Sequence, residues 1–183
     1  VWGQGDFPFY YVQLAPFIYR GAEPTMLPHL WEAQTKVLKL KNTGMAVTTD
    51  IATIKNIHPP NKQDVGKRLA LWALAKNYGK NELVYSGPIY KSAKIDGNGV
   101  WLEFDHTGEG LNSSDGKPLS WFTIAGADGK FVPAKAEIHG NKVHVSSDKV
   151  ARPTDVRFAW DQTAEPNFMN SAGLPASPFR TGK

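Results

Sequence analysis

A single histidine stands in the stretch TTDIATIKNIHPPNKQDVGKR, residues 48–68, between the end of an apolar run and a Pro-Pro pair. Imidazole is the side chain best suited to take up and return a proton near neutral pH. His58 follows the carboxyl end of an expected strand and precedes an expected helix, and in open parallel sheets that edge is where ligands bind. Asp50 lies at the strand terminus, eight residues earlier. An aspartate that holds an imidazole in one tautomer is what a general base requires. From the residues alone three roles are open for His58: catalytic base, ordinary loop histidine, or metal ligand. The metal role is the weakest, because His29, His106, His139 and His144 lack ligand spacing to His58 and the chain has no cysteine.

A base of this kind needs a nucleophile. Ser86, Ser92, Ser113, Ser114, Ser120, Ser146, Ser147, Ser171 and Ser177 all fall in the β-rich part of the chain. None sits in a G-x-S-x-G elbow or a similar strand-to-helix turn. Either His58 is not a triad base, or its serine lies upstream of residue 1. His139 and His144 flank the Gly140-Asn141 turn and are expected on the surface, on opposite sides of the hairpin. Trp101, Phe104, Trp121, Phe122, Phe158 and Trp160 suit a core first and a sugar-stacking platform second. Gly3-Gln4-Gly5 and Gly97-Asn98-Gly99 lack the strand-to-helix context of phosphate loops.

The elements that must position His58 are an alternation of strands and helices. FPFYYVQLAPF is an apolar run bounded by Pro8 and Pro16, the pattern of a strand covered on both faces. LPHLWEAQTKVLKLKNTG follows as a helix. Pro28 falls in its first turn, Leu30, Trp31, Gln34, Val37 and Leu38 form its stripe, and Gly44 marks its exit. A short strand is expected over Met45 to Thr49. A second helix begins at Asn61 as N-cap, with Asp64 in the first turn. Val65, Leu69, Trp72 and Ala73 form its buried stripe, and Gly79 closes it. This is the signature of parallel α/β architecture. From about Leu83 no helical period is sustained. IDGNGVWLEF, IAGADGKFVPA and EIHGNKVHVSS place turn pairs between strand-like flanks, and about seven short strands at such spacing describe an all-β sandwich. The stretch EPNFMNSAGLPASPFRTGK is expected to be an ordered loop with a frayed end.

Composition bounds the partners. Of 183 residues, 41% are hydrophobic and 21% charged, ordinary for a globular protein. The net charge of +4 is spread along the chain with no run of four basic residues, which argues against nucleic acid. No apolar stretch approaches the roughly 18 residues of a membrane span, and no signal peptide opens the chain. No cofactor is indicated. A strand so near the first residue is expected to belong to something larger.

The stretches GQGDFPFYYVQLAPF, LWEAQ, NTGMAVTTDI, IHPPNKQDVGKRLALWALA, YSGPIYKSAKIDGN, IAGADGKFVPA, VRFAW and GLPASPFRT carry a family resemblance. Over nearly its whole length the chain resembles the carboxyl-terminal portion of sialate O-acetylesterases, the SASA group of SGNH-type carbohydrate esterases. The resemblance implies an α/β fold over 1–82, part of an SGNH/flavodoxin-like three-layer parallel sheet. An all-β sandwich-like domain with an ordered loop tail would follow over 83–183. It implies a serine hydrolase that removes O-acetyl esters from sugars, with His58 as base. The family's serine and oxyanion donors precede the portion seen here, so the chain alone is expected to be inactive. Many SGNH enzymes hold an Asp three positions before the histidine, but that position is Lys55, and the position two before is Asn56. Asp50 is the remaining nearby carboxylate and the expected acidic partner, with a backbone carbonyl as the alternative. The implied partners are an O-acetylated sugar and the front portion of the same enzyme, and the implied location is periplasmic or extracellular. An acetylxylan-type esterase and a non-catalytic carbohydrate-binding module are the rival readings.

Overall fold

Strand β1 (Phe9–Val12), helix α1 (Met26–Val37), strand β2 (Thr43–Ala46) and helix α2 (Lys62–Lys76) follow one another in a computed structural model that describes residues 3–182. Val1, Trp2 and Lys183 lie outside the described residues. β1 and β2 pair in parallel, Phe9 against Thr43 through Val12 against Ala46, with α1 as the crossover. Neighbouring strand residues face opposite ways, so the pair carries a helix on each face. The Tyr11 hydroxyl donates to the Gln34 carbonyl of α1 at 2.5 Å, and the Tyr10 ring lies 6.3 Å from Trp72 of α2. β1 is nonetheless only partly buried between the two helices. Among the described residues it pairs with β2 alone, and Phe9 and Val12 at its ends are exposed.

Both helices sit where the sequence places them, with shifts that have physical causes. In α1, Pro28 lies in the first turn and Trp31 is fully buried, its Nε1 donating to Leu14 O at 2.5 Å. Leu30, expected in the buried stripe, is exposed. The left-handed residue after α1 is Asn42 (φ 61°), not Gly44. Gly44 instead belongs to β2, where a Cβ would come within 2.5 Å of the Trp72 ring, so its bareness lets α2 close onto the strand. In α2, Asn61 caps the helix by accepting from Asp64 N at 3.1 Å. The buried line is Arg68, Trp72 and Ala75, with the expected Val65, Leu69 and Ala73 only half-buried beside it. The helix is rotated toward polar anchors: Trp72 Nε1 donates to Met45 O at 3.0 Å, and Arg68 reaches the end of β2.

Beyond residue 88 the described elements are strands. β3 (Ile89–Asp96), β4 (Gly99–Asp105), β8 (Lys135–His139) and β9 (Lys142–Ser146) form an antiparallel sheet in the order β3-β4-β9-β8. β6 (Phe122–Gly126), β7 (Val132–Pro133), β10 (Pro153–Phe158) and β12 (Phe179–Arg180) form a second, ordered β12-β10-β6-β7. β5 (Leu111–Ser113) pairs with β11 (Phe168–Asn170). Alternating residues of both large sheets enter one cluster: Val100 and Leu102 of β4, Val143 and Val145 of β9, Ile124 of β6, Val156 and Phe158 of β10. The Phe158 ring lies within 6 Å of Phe122, Phe168 and Phe179.

Two expectations for this region are corrected. The final stretch is not a loop with a frayed end: it contributes β11 and β12, Phe179 is buried in the cluster, and Thr181 N donates to Val156 O at 2.9 Å. Apolar Phe168, Leu174 and Phe179, not the Pro/Ser/Gly between them, decide its fate. His139 and His144 do not lie on opposite sides. Residue 139 pairs with 142 and residue 137 with 144, so antiparallel register puts both histidines on one face, their rings flanking Trp101 at 5.2 and 4.7 Å. Phe104, Phe122, Phe158 and Trp160 are buried, whereas Trp101 is half-exposed and Trp121 exposed.

The two regions are joined by polar contacts. Ser177 Oγ lies 2.9 Å from Thr35 Oγ1 and accepts from Gln13 Nε2 at 3.1 Å. Arg180 forks onto Glu32 of α1 at 3.0 and 3.2 Å.

Candidate active site

The chain leaves β2 still buried through Val47, Thr48 and Thr49 before it turns at Asp50. Thr48 Oγ1 donates to Gln13 O at 3.2 Å, tying this exit to the segment after β1. Thr49 Oγ1 is buried with no hydrogen-bond partner. The loop to α2 then folds on itself: Asn56 N donates to Thr53 O at 3.1 Å, and Ile18 N donates to Ile54 O at 3.0 Å from outside. Asn56 Oδ1 accepts from His58 N at 2.9 Å, an Asx turn that sets the backbone entering the histidine. Pro59 and Pro60 restrict the backbone leaving it. His58 is therefore held by its main chain on a strand–loop–helix connection, and its imidazole is exposed.

β2 ends at Ala46 rather than at the expected Thr49, so Asp50 lies four residues past the strand, and its carboxylate faces Arg68. The guanidinium donates to both oxygens, at 2.7 and 2.6 Å, and to Val47 O at 2.6 Å. The side chains are 9% and 17% exposed, so this is a largely desolvated bidentate pair. It fastens the carboxyl end of β2 to α2 and so closes the base of the loop. No hydrogen bond joins Asp50 to His58, and no described residue hydrogen-bonds to the imidazole. No serine hydroxyl among the described residues bonds to it either; Ser177 is buried between Thr35 and Gln13. No group of three or more His, Asp or Glu among the described residues could hold a metal.

Arg68 is the residue the sequence reading misses. Its signal is present: an arginine four residues before Trp72, on the buried line of α2, needs an acceptor, and Asp50 is the carboxylate at the expected strand end. Asn56, read only as a departure from a family pattern, shapes the turn before His58.

No family model matches the chain. The sialate O-acetylesterase of mouse, Mus musculus, is 28% identical over 97% of this chain and 36% of its own length. The human enzyme of the same name, from Homo sapiens, is 26% identical over 94% and 36%. A crystal structure of a carbohydrate acetylesterase from Xanthomonas citri superposes with a TM-score of 0.91 at 45% identity, over 96% of this chain and 41% of that one. The chain thus spans little more than a third of the curated relatives it matches. Over nearly its whole length it is similar to sialate O-acetylesterases and to a carbohydrate acetylesterase of known structure, in line with the resemblance to sialate O-acetylesterases read from its sequence.

Proposed function

We propose that the chain supplies the catalytic base of a serine carbohydrate O-acetylesterase, with O-acetylated sialic acid as the leading substrate. The observation that carries this is His58, an exposed imidazole on the loop between β2 and α2, in a chain 45% identical to a carbohydrate acetylesterase. His58 takes the proton of a serine hydroxyl supplied by the front portion of the enzyme. The serine oxygen bonds to the acetyl carbonyl carbon, and the imidazolium returns the proton to the sugar oxygen as the ester bond breaks. Water then attacks the acetyl-enzyme with His58 again as base, releasing acetate and freeing the serine. Asp50 is the proposed acidic residue of the site. With both its oxygens on Arg68, it supports His58 by fixing the loop rather than by a direct hydrogen bond.

The reading assigns residues 1–82 to an SGNH-type parallel three-layer sheet and 83–183 to a sandwich-like domain. The helix on each face of the β1–β2 pair and the two antiparallel sheets sharing one core support that division. A periplasmic or extracellular location goes with it, and no described helix is long and apolar enough to cross a membrane. The test is the full-length enzyme carrying His58→Ala. Hydrolysis of an acetylated sugar is expected to fall about a hundred- to ten-thousand-fold, the worth of a positioned base. Near-full activity would remove His58 from the mechanism, and robust aryl-acetate turnover by the 183-residue chain alone would place the nucleophile within it.

A further inference from the structure

A cavity of about 800 Å³ opens where α1, α2 and the ends of β3, β4 and β12 meet, and His58 does not line it. One wall is aromatic. Trp72 and Tyr85 lie 4.6 Å apart, and the His106 ring packs 5.0 Å from Tyr85. His106 reaches this wall from a left-handed backbone, φ 61°, which costs free energy for a residue with a side chain. That conformation is enforced: fully buried Asn170 donates to His106 O at 2.8 Å and to Ser86 O at 2.9 Å, while Oδ1 accepts from Ala172 N and Leu174 N.

The charge around the cavity is unbalanced. Five cations line it, Lys36, Lys39, Lys76, Lys91 and Arg180, against two carboxylates, Glu32 and Asp105, an excess of three positive charges. Lys91 pairs with Asp105, and Glu32 alone serves both Lys36 and Arg180. Lys39 and Lys76 have no carboxylate partner among the described residues. Lys76 Nζ is held 4.3 Å above the Tyr85 ring, beside the aromatic wall. Thr35, Asn42 and Thr43 add uncharged hydrogen-bonding groups to the lining.

We propose that this cavity is a second ligand site, for an acidic sugar whose ring lies against the half-exposed rings of Tyr85 and His106, which the buried Trp72 backs, and whose carboxylate meets Lys76. Excess positive charge in a partly enclosed cleft selects an anion, and the accessible parts of the tilted Tyr85 and His106 rings favour a ligand that also carries an apolar ring face. The choice of a sugar over another ring-bearing anion rests on the carbohydrate reading above.

The test is a binding titration of the full-length enzyme with glucuronate, and with glucose, adenosine monophosphate and sulfate as comparison ligands, followed by calorimetry or ligand-observed NMR. Glucuronate is expected to bind more tightly than the other three. Lys76→Gln should weaken glucuronate about tenfold, a loss of about 1.4 kcal/mol, and leave glucose unchanged. His106→Gly suits the left-handed backbone, so the turn survives while the ring is lost, and it should weaken both sugars. Absence of glucuronate binding, or equal binding by Lys76→Gln, would overturn the site. Tighter binding of adenosine monophosphate or sulfate would overturn the sugar. The titration needs no turnover, so an inactive enzyme leaves this inference standing, and failed binding leaves the esterase reading untouched.

Discussion

Residues 89–180 are held together by apolar side chains meeting across two sheets, whereas residues 9–76 are held by polar ties at the ends of their elements. In the first, Phe158, Val156, Ile124 and Leu102 are fully buried, and the buried polar anchors Asn167 and Asn170 sit at the short β5–β11 pair rather than within the two large sheets. In the second, Arg68 on Asp50 and Val47, Trp72 on Met45 and Trp31 on Leu14 each fix one helix to one strand end. The difference separates two tasks. Non-directional packing makes a stable platform, while directional bonds fix the position of a loop, which is what a base needs.

That contrast can be broken at both ends. Phe158→Ala should cost about 3–5 kcal/mol in chemical denaturation, the largest effect here, because its cavity would lie where several aromatic rings meet. Arg68→Ala should cost about 3 kcal/mol by leaving the Asp50 carboxylate without its partner. Unlike Phe158→Ala, it should also lower the esterase activity of the full-length protein under conditions where the variant is folded. An equal loss of activity per unit of stability in both variants would erase the distinction.

Two smaller effects sharpen it. Hydrogen bonds from Arg180, and then Lys36, bring the Glu32 carboxyl down to about 2 from its ordinary 4.5. A depressed carboxyl contributes stability above its unfolded value and loses it as pH falls through the folded one. Thermal melts of the wild type and Glu32→Gln should therefore differ by a constant amount above about pH 4.5 and converge toward pH 2. A constant gap down to pH 2 would mean that this ion pair does not tie α1 to β12. Asn61→Ala should cost about 1 kcal/mol through loss of the cap on α2 and should leave the two-sheet core unchanged by near-UV circular dichroism.

The helices were legible because they carry local signals: Pro28 in a first turn, Asn61 before Asp64, and aromatic residues at helical spacing. The hairpins at Gly97-Asn98 and Gly140-Asn141 were legible from turn chemistry alone. Long-range relations were not. Arg68 on the line of Trp72 signals that it needs an acceptor, but whether Asp50 turns to it or to His58 depends on how α2 rotates over β2 around Gly44. The facing of His139 and His144 depends on cross-strand register, which counting along one strand does not give. β12 was hidden because two residues of strand between Pro178 and Thr181 make no pattern, and only the sheet edge beside β10 defines it.

The central claim is that the His58 imidazole itself moves the proton and that the surrounding loop only holds it. Chemical rescue tests this most directly: the full-length His58→Gly enzyme is assayed on an acetylated sugar with increasing free imidazole. His58 is exposed, so imidazole can reach the vacated position. The account predicts that activity returns in proportion to added imidazole and follows the fraction present as free base as pH is varied. An inactive variant that imidazole does not revive, beside a wild type with unaltered activity, would contradict it.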